Sequence, residues 1–436
     1  MNASRVRALE QQLLAHMQLY GYTLVDIPIV QPADVFLTRA GDLMIERLFT
    51  FEHQDQMLAL RPEFTAAAAR HYVQHAAGQI VRWQMCGPTF VDDATHDRTQ
   101  QHSLGAELIG VAGSAAEAEI ISMTIEGVQA VGMSDWRLIM GNVALQWHLL
   151  ARLGLDRRIV RWLLVHRDEL AQHGKDHLLS LFQATFALST DPSFAPDETP
   201  ASTQRMLDVM LDSTQYGTTM GGRTREEIAL RMLRKHQRAV ARPQIEAALD
   251  FLAEWIQIEG DVASVFSKIE SWIEENDLHG RMLLNQWRET VQRIIIAGLD
   301  PARITLKPNL ARNWEYYTGL VFVLQSGSGE AVAGGGRYDE LTRLLGGSQS
   351  TPAVGFAYYI EALLADVHTQ MVDPVAITIS GPQAVDGARA LRQQDIATVI
   401  QSEVSDITST GTDFSYQHQI YTILADLITA VKASRA

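Results

Sequence analysis

The chain has 436 residues, 51 of them acidic against 36 basic, for a formal net charge of -15, and that length allows two or three domains of about 100–200 residues each. With 47% hydrophobic and 20% charged residues, the composition excludes a wholly disordered or fibrous chain. Its one cysteine, Cys86, excludes an internal disulfide and any zinc site built from several cysteines, while the acidic balance weighs against a polyanion as partner.

From Ala3 to Tyr20, the spacing of Val6, Leu9, Leu13, Leu14 and Met17 predicts a helix that Gly21 stops. Next, Tyr22 to Val30 is a β-branched run whose Pro28 suits an edge or an interface. Leu48 to Phe51 and Gln56 to Leu60 read as short strands around the polar turn 52–55, and Thr65 to Ala77 as an Ala-rich helix. A strand pair, Val81 to Cys86 and His102 to Gly110, flanks the polar stretch 91–101, and a helix follows from Ala115 to Val131. The mixture is that of an antiparallel α+β domain, not of a βαβ series. No apolar run approaches the ~20 residues that span a bilayer, so the expected location is cytoplasmic.

From about Leu149 to Leu299, Leu, Ala, Glu, Arg and Gln recur at helical spacing, broken by a loop at Ser189–Thr203 that holds Pro192, Pro196 and Pro200. Strand character returns at Ile304–Leu306, Glu315–Leu324 and Glu330–Ala333, before the glycines 334–336. The expected division is a core in two parts, 1–148 and 301–370, around a helical insertion 149–300, with a small α/β tail 371–436. In that tail Val375–Ser380 and Ala397–Gln401 read as strands, and Ala384–Gln394 and the last residues as helices. It carries seven acids and four bases.

No GxxxxGK[ST] loop is present, and the glycines 334–336 do not complete a GxGxxG. These glycines either permit the close approach of a ligand or make a tight turn, and the turn is the favoured reading. His71 and His75 stand four apart on a helix with no third ligand nearby, and His96, Asp97 and His102 fall in or beside a polar loop, so no metal is expected. Polar residues at strand ends stand out instead: Arg61 and Glu63 with Thr65, Glu107, and Arg312 with Tyr316 and Tyr317. Brought together, they offer carboxylates for an ammonium or imidazole N–H, a guanidinium for a carboxylate and a phenol for a ring nitrogen, a complement to a small polar zwitterion. The same residue types also suit a structural ion pair of Glu63 or Glu107 with Arg61, Arg70 or Arg312.

At these positions the chain resembles the histidyl-tRNA synthetase family, a class II synthetase fold. The matching stretches include Leu60-Arg-Pro-Glu63, Cys86-Gly-Pro-Thr-Phe90, Leu104-Gly-Ala-Glu107, Arg312 with Glu-Tyr-Tyr317, Gly335-Gly-Arg-Tyr-Asp339 and Thr351-Pro-Ala-Val-Gly-Phe356, in the family's order. The resemblance implies an antiparallel sheet core flanked by helices, a dimer motif around Pro28, and histidine contacts from Glu63, Thr65, Glu107, Arg312, Tyr316 and Tyr317. Two of the family's pocket positions differ, a glutamine being Ser103 here and a glycine Phe64.

The departures fall on the nucleotide side. The family's arginine for the ATP α-phosphate is replaced by Val91, followed by Asp92 and Asp93. A second arginine is replaced by Ala362, and a glycine that leaves room for ATP by Tyr359. Since one well-placed donor is commonly worth about 3–4 kcal/mol in a transition state, no catalytic residues and no cofactor are expected. The tail resembles a reduced anticodon-binding domain without the basic surplus that tRNA requires. The resemblance therefore points to the family's paralogue that serves as regulatory subunit of ATP phosphoribosyltransferase, with histidine as ligand, a short-form catalytic subunit as partner and a homodimer core. The alternative is a divergent histidine-tRNA ligase or another ligase that activates histidine.

Overall fold

Helix α1, Ala3–Leu19, sets Val6, Leu9, Leu13 and Met17 on one stripe, and all four are buried. Gly21 ends it at φ 82°, a conformation in which a side chain would be strained. A computed structural model describes residues 3–37, 42–92, 99–186, 188–189, 219–220, 223–224, 240–310, 312, 314, 316–367, 377–379, 384–394, 396, 398–400, 414–416, 419–421 and 424–435. Two units are formed, one by residues 6–368 and one by residues 1–5 with 369–436.

In the larger unit, the run around Pro28 is divided between β1, Thr23–Leu24, and β2, Val30–Pro32, so Pro28 lies between strands. Strand β2 pairs with β4, Gln56–Leu60, which pairs in turn with β3, Thr50–His53, around a turn at Gln54 and Asp55 with positive φ. Helix α2, Thr65–His75, follows. Strands β5, Val81–Phe90, and β6, Gln100–Ile109, form a long hairpin, after which comes α3, Ser114–Ala130. The sheet then gains β7, Trp136–Asn142, a strand that the periodicity of its sequence does not announce.

A helical stretch comes next: α4, Val143–Ala151; α5, Arg157–Val165; α6, Arg167–Thr185, broken at Gly174; α7, Arg242–Ile256; α8, Val262–Glu270; and α9, Leu278–Ile296. The proline-bearing loop predicted at 189–203 lies outside the described residues apart from Ser189. Helices α5, α6 and the first turns of α7 enclose a core of their own around Ile159, Leu163, Phe182 and Leu249. Trp255, Phe266, Ile269 and Trp287, from α7, α8 and α9, belong instead to the core that α1 and α3 share with the sheet.

The chain returns through β8, Ile304–Leu306; β9, Leu320–Ser326; β10, Ala331–Arg337; β11, Ala353–Tyr359; and α10, Ile360–Asp366. The eight-stranded sheet has the order β1-β5-β6-β11-β10-β9-β7-β8. Its pairs are antiparallel except β1 with β5 and β8 with β7 at the two edges. Strand alternation separates Leu104, Ala106 and Leu108, packed with α1 and α3, from Ile109, which packs with α2. Glu107 shares the parity of Ile109. The glycines 334–336 therefore form no turn: they lie inside β10, paired to β9 on one side and β11 on the other.

The smaller unit pairs β12, Ile377–Ile379, in parallel with β13, Thr398–Ile400, beside helix α11, Ala384–Arg392. A hairpin of β14, Phe414–Tyr416, and β15, Gln419–Tyr421, precedes α12, Leu424–Arg435. No helix among the described residues is long and apolar enough to cross a membrane.

Candidate functional site

The two N–H groups that open α2 have no partner within the helix, and Glu63 supplies one. Its carboxylate accepts the N–H of Thr65 and, at 2.7 Å, that of Ala66. The negative charge thus stands at the positive end of the helix dipole. Thr65, held there, donates its hydroxyl to Oε1 of Glu107 at 2.6 Å, and the hydroxyl of Tyr338 donates to Oε2. Glu107 is only 1% exposed. It faces Gly355 across the β6–β11 pairing, where a Cβ would begin 1.6 Å from its Oε2, so that glycine makes the seat for the carboxylate.

Burial pushes the Glu107 carboxyl up to about 8 and that of Glu63 up to about 7, against the hydrogen bonds that both accept. Near neutrality these groups exchange protons readily, and a cationic N–H donor placed between them would favour their ionised forms. Burial likewise raises the phenols of Tyr316 and Tyr317, the latter to about 12, so both rings are neutral and their hydroxyls can donate. Their centroids are 4.8 Å apart.

Arg312 is housed by a second glycine. A Cβ on Gly334 would begin 1.6 Å from its Nη1, which donates to the Phe322 carbonyl at 3.3 Å. Nη2 donates to the hydroxyl of Tyr359, and the guanidinium carbon lies 5.8 Å from the centre of the Tyr317 ring. Its buried Nε has no hydrogen-bond partner among the described residues.

Over these groups lies a cavity of about 460 Å³. Glu63, Thr65, Glu107, Arg312, Tyr316 and Tyr317 all line it, so the six residues separated by up to 254 positions in the chain meet at one place. Tyr338 and Tyr359 line it as well, and the sequence reading did not single them out as ligand contacts. Their signal was there, in the Gly-Gly-Arg-Tyr-Asp stretch and in the phenol that replaces a glycine. Another part of the lining is formed by Met44, Arg47, Val91 and His102. There Arg47 donates to the Asp92 carbonyl at 2.8 Å, and His102 pairs with Glu10 at 3.0 Å. Ala362 is buried in the core on α10 and does not line the cavity. Asp93, His96 and Asp97 lie outside the described residues.

The alternative of a structural ion pair is not what the geometry shows. Arg61 donates to the carbonyls of Pro88 and Ile27 and stacks 4.2 Å from the Phe64 ring centre, and Arg70 pairs with Asp34 at 3.3 Å. Among the described residues neither Glu63 nor Glu107 makes a salt bridge. His71 and His75 stack on each other with centroids 4.4 Å apart. Apart from the Arg47 guanidinium beside Val91, the cavity therefore presents the carboxyls of Glu63 and Glu107, the Arg312 guanidinium and four phenols to a ligand, a set matched to a small molecule with both a carboxylate and N–H donors.

The histidyl-tRNA synthetase family model matches residues 1–189 and 205–363. Proteins of Brucella canis and Brucella suis named ATP phosphoribosyltransferase regulatory subunit are 28% identical over 380 residues, which is 84% of this chain and 98% of each relative. A solved structure described as an ATP phosphoribosyltransferase regulatory subunit/histidyl-tRNA synthetase from Bacillus halodurans superposes with a TM-score of 0.65 at 18% identity, covering 93% of this chain and 90% of that one. A histidyl-tRNA synthetase from Nostoc superposes with a TM-score of 0.62 at 14% identity, covering 98% and 95%. At those identities the superpositions establish the fold, the class II synthetase architecture that the motifs predict.

Proposed function

Because the chain belongs to the histidyl-tRNA synthetase family, we propose that it is a non-aminoacylating member, one that binds histidine in this cavity and regulates the short form of ATP phosphoribosyltransferase at the first step of histidine biosynthesis. The observation that carries the reading is an asymmetry within one cavity. The groups suited to an amino acid are assembled, while Val91 stands where the family resemblance places a phosphate-binding arginine and Ala362 faces the core. A valine has no donor for a phosphate, and no step of adenylate chemistry can be assigned to it. The names of the Brucella relatives support the regulatory role.

In this reading Arg312 receives the carboxylate of histidine, Glu63 and Glu107 receive its ammonium and imidazole N–H groups, and Thr65, Tyr316 and Tyr317 complete the enclosure. Binding regulates only to the extent that one conformation of the complex holds histidine more tightly than another, typically by about 1–3 kcal/mol. A homodimer core is part of the proposal: Ile29, Val30 and Phe51, near Pro28, are each at least 40% exposed, and Val30 and Phe51 share one face of the β2-β4-β3 sheet, an apolar patch for a second copy.

Calorimetry with histidine on the wild type and on Glu107→Ala tests the site. Saturable binding is expected, weakened about tenfold or more by the substitution, because a charged hydrogen-bond acceptor is lost. Histidine-dependent ATP–pyrophosphate exchange should be absent, and clear turnover would replace the regulatory reading with that of a histidine-activating ligase.

A further inference from the structure

Tyr359 stands last in β11, opposite Ser103 in the pairing with β6, and its ring lines the cavity beside Arg312. Its hydroxyl oxygen accepts a hydrogen bond from Nη2 of Arg312. Among the described residues this is the one hydrogen bond that the hydroxyl makes, and it is made as an acceptor. A phenol that accepts in this way still holds its own proton to donate. Beside it, Arg312 has a buried Nε–H without a partner among the described residues, and its two terminal nitrogens each engage one acceptor while carrying two hydrogens apiece. The Tyr359 hydroxyl and the Arg312 guanidinium therefore stand side by side in the cavity wall, each with hydrogens for which no acceptor is found among the described residues.

From this geometry we infer that Tyr359 and Arg312 act together as a clamp for a free carboxylate, with the Tyr359 hydroxyl donating to one carboxylate oxygen while the guanidinium donates to the same group. The inference rests on the reading of the cavity as an amino-acid site and adds to it a ligand contact and a selectivity. The Arg312–Tyr359 hydrogen bond orients the guanidinium before ligand arrives, and Gly334 leaves the space in which it is held. A carboxylate satisfies both donors. An alcohol or an ester at the same position brings no negative charge, so the same donors meet only a neutral acceptor, and the discrimination is that between a charge-assisted and a neutral hydrogen bond. The clamp therefore selects the unmodified amino acid over a reduced or esterified one.

Calorimetry on the full-length chain with L-histidine, L-histidinol and L-histidine methyl ester, for wild type and Tyr359→Phe, tests this. The substitution removes one oxygen and keeps the ring. It is expected to weaken histidine about tenfold while changing histidinol less than about twofold, because histidinol has no carboxylate for the hydroxyl to meet. Wild type is expected to bind histidinol and the ester at least about thirtyfold more weakly than histidine. Histidine affinity unchanged in Tyr359→Phe, or equal losses for histidine and histidinol, would overturn the clamp and leave the histidine site standing. Should the variant fail to fold, the wild-type comparison decides, and histidinol or ester binding as tight as histidine overturns the clamp. If wild type binds none of the three, the reading of the cavity as a histidine site fails, and the clamp falls with it.

Discussion

Ionising Glu107, at 1% exposure, takes a charge out of water with only two hydroxyls to receive it, those of Thr65 and Tyr338. Its carboxyl is accordingly pushed up to about 8, burial being the cause, whereas in the unfolded chain it titrates near the usual value of about 4.3. A raised carboxyl contributes stability through its neutral form, fully present below about pH 4 and lost as pH rises through 8. The ligand-free protein should thus lose roughly 2 to 4 kcal/mol through this group between pH 5 and pH 9. Urea unfolding at the two pH values measures it, and Glu107→Gln should flatten the decline, whereas an equal decline in the variant would assign it to another group. At this scale the carboxylates and Arg312 were legible, because charged side chains at strand ends suggest chemistry by their type alone. Tyr338 and Tyr359 were less so, since a buried phenol is also ordinary core material until its partner is known.

Among elements, the hardest to read was β7. Its run Trp-Arg-Leu-Ile-Met-Gly-Asn has all but Arg137 buried or nearly so, and it lies between β9 and β8, where burial on both faces removes the alternation that marks a half-exposed strand. The glycines of β10 misled for a related reason. Glycine usually marks a turn, but here a missing side chain at 334 admits Arg312 and one at 336 admits the Tyr317 ring. Helices were easier, and their fastening can be tested at Asp277. Its carboxylate caps α9 through the N–H of Gly280 at 2.9 Å and binds His148 at 2.9 Å and Arg152 at 2.7 Å, beside α4. Burial opposes the charge, but these hydrogen bonds prevail and hold the carboxyl at about 2. Asp277→Ala should destabilise the chain by about 2–4 kcal/mol at pH 7, read from urea midpoints. A depressed carboxyl gives stability that is present above about pH 4 and lost as pH falls through 2, so the gap between variant and wild type should narrow on acidification. A gap that is constant with pH would mean that packing, not the carboxylate, is what the substitution removes.

At the scale of the whole molecule, the net charge of -15 does not say where the acids matter, and the fold does. Motifs in a fixed order made the synthetase-like sheet legible although 160 residues and more separate β7 from β8, because motifs from both parts of the chain supply residues to the lining of one cavity, Glu63, Thr89 and Glu107 from the first and Arg312, Tyr338 and Phe356 from the second. The smaller unit carried no such motif, and its hairpin β14–β15 was not anticipated from three-residue strands. Among the described residues, the cavity lining runs from Met44 to Tyr359, all within residues 6–368. Every hydrogen bond described for Glu63, Glu107 and Arg312 is likewise made inside those limits. A chain ending at His368 should therefore keep its far-UV circular dichroism per residue in the sheet and helix bands and bind histidine within about twofold of the full-length protein, since affinity follows the contacts made and those contacts remain. Calorimetry on the two chains decides the matter. If the shortened chain folds with an unchanged unfolding midpoint but loses histidine, the tail governs the site through the population of binding-competent conformations, and the contacts in the cavity are not sufficient to set affinity.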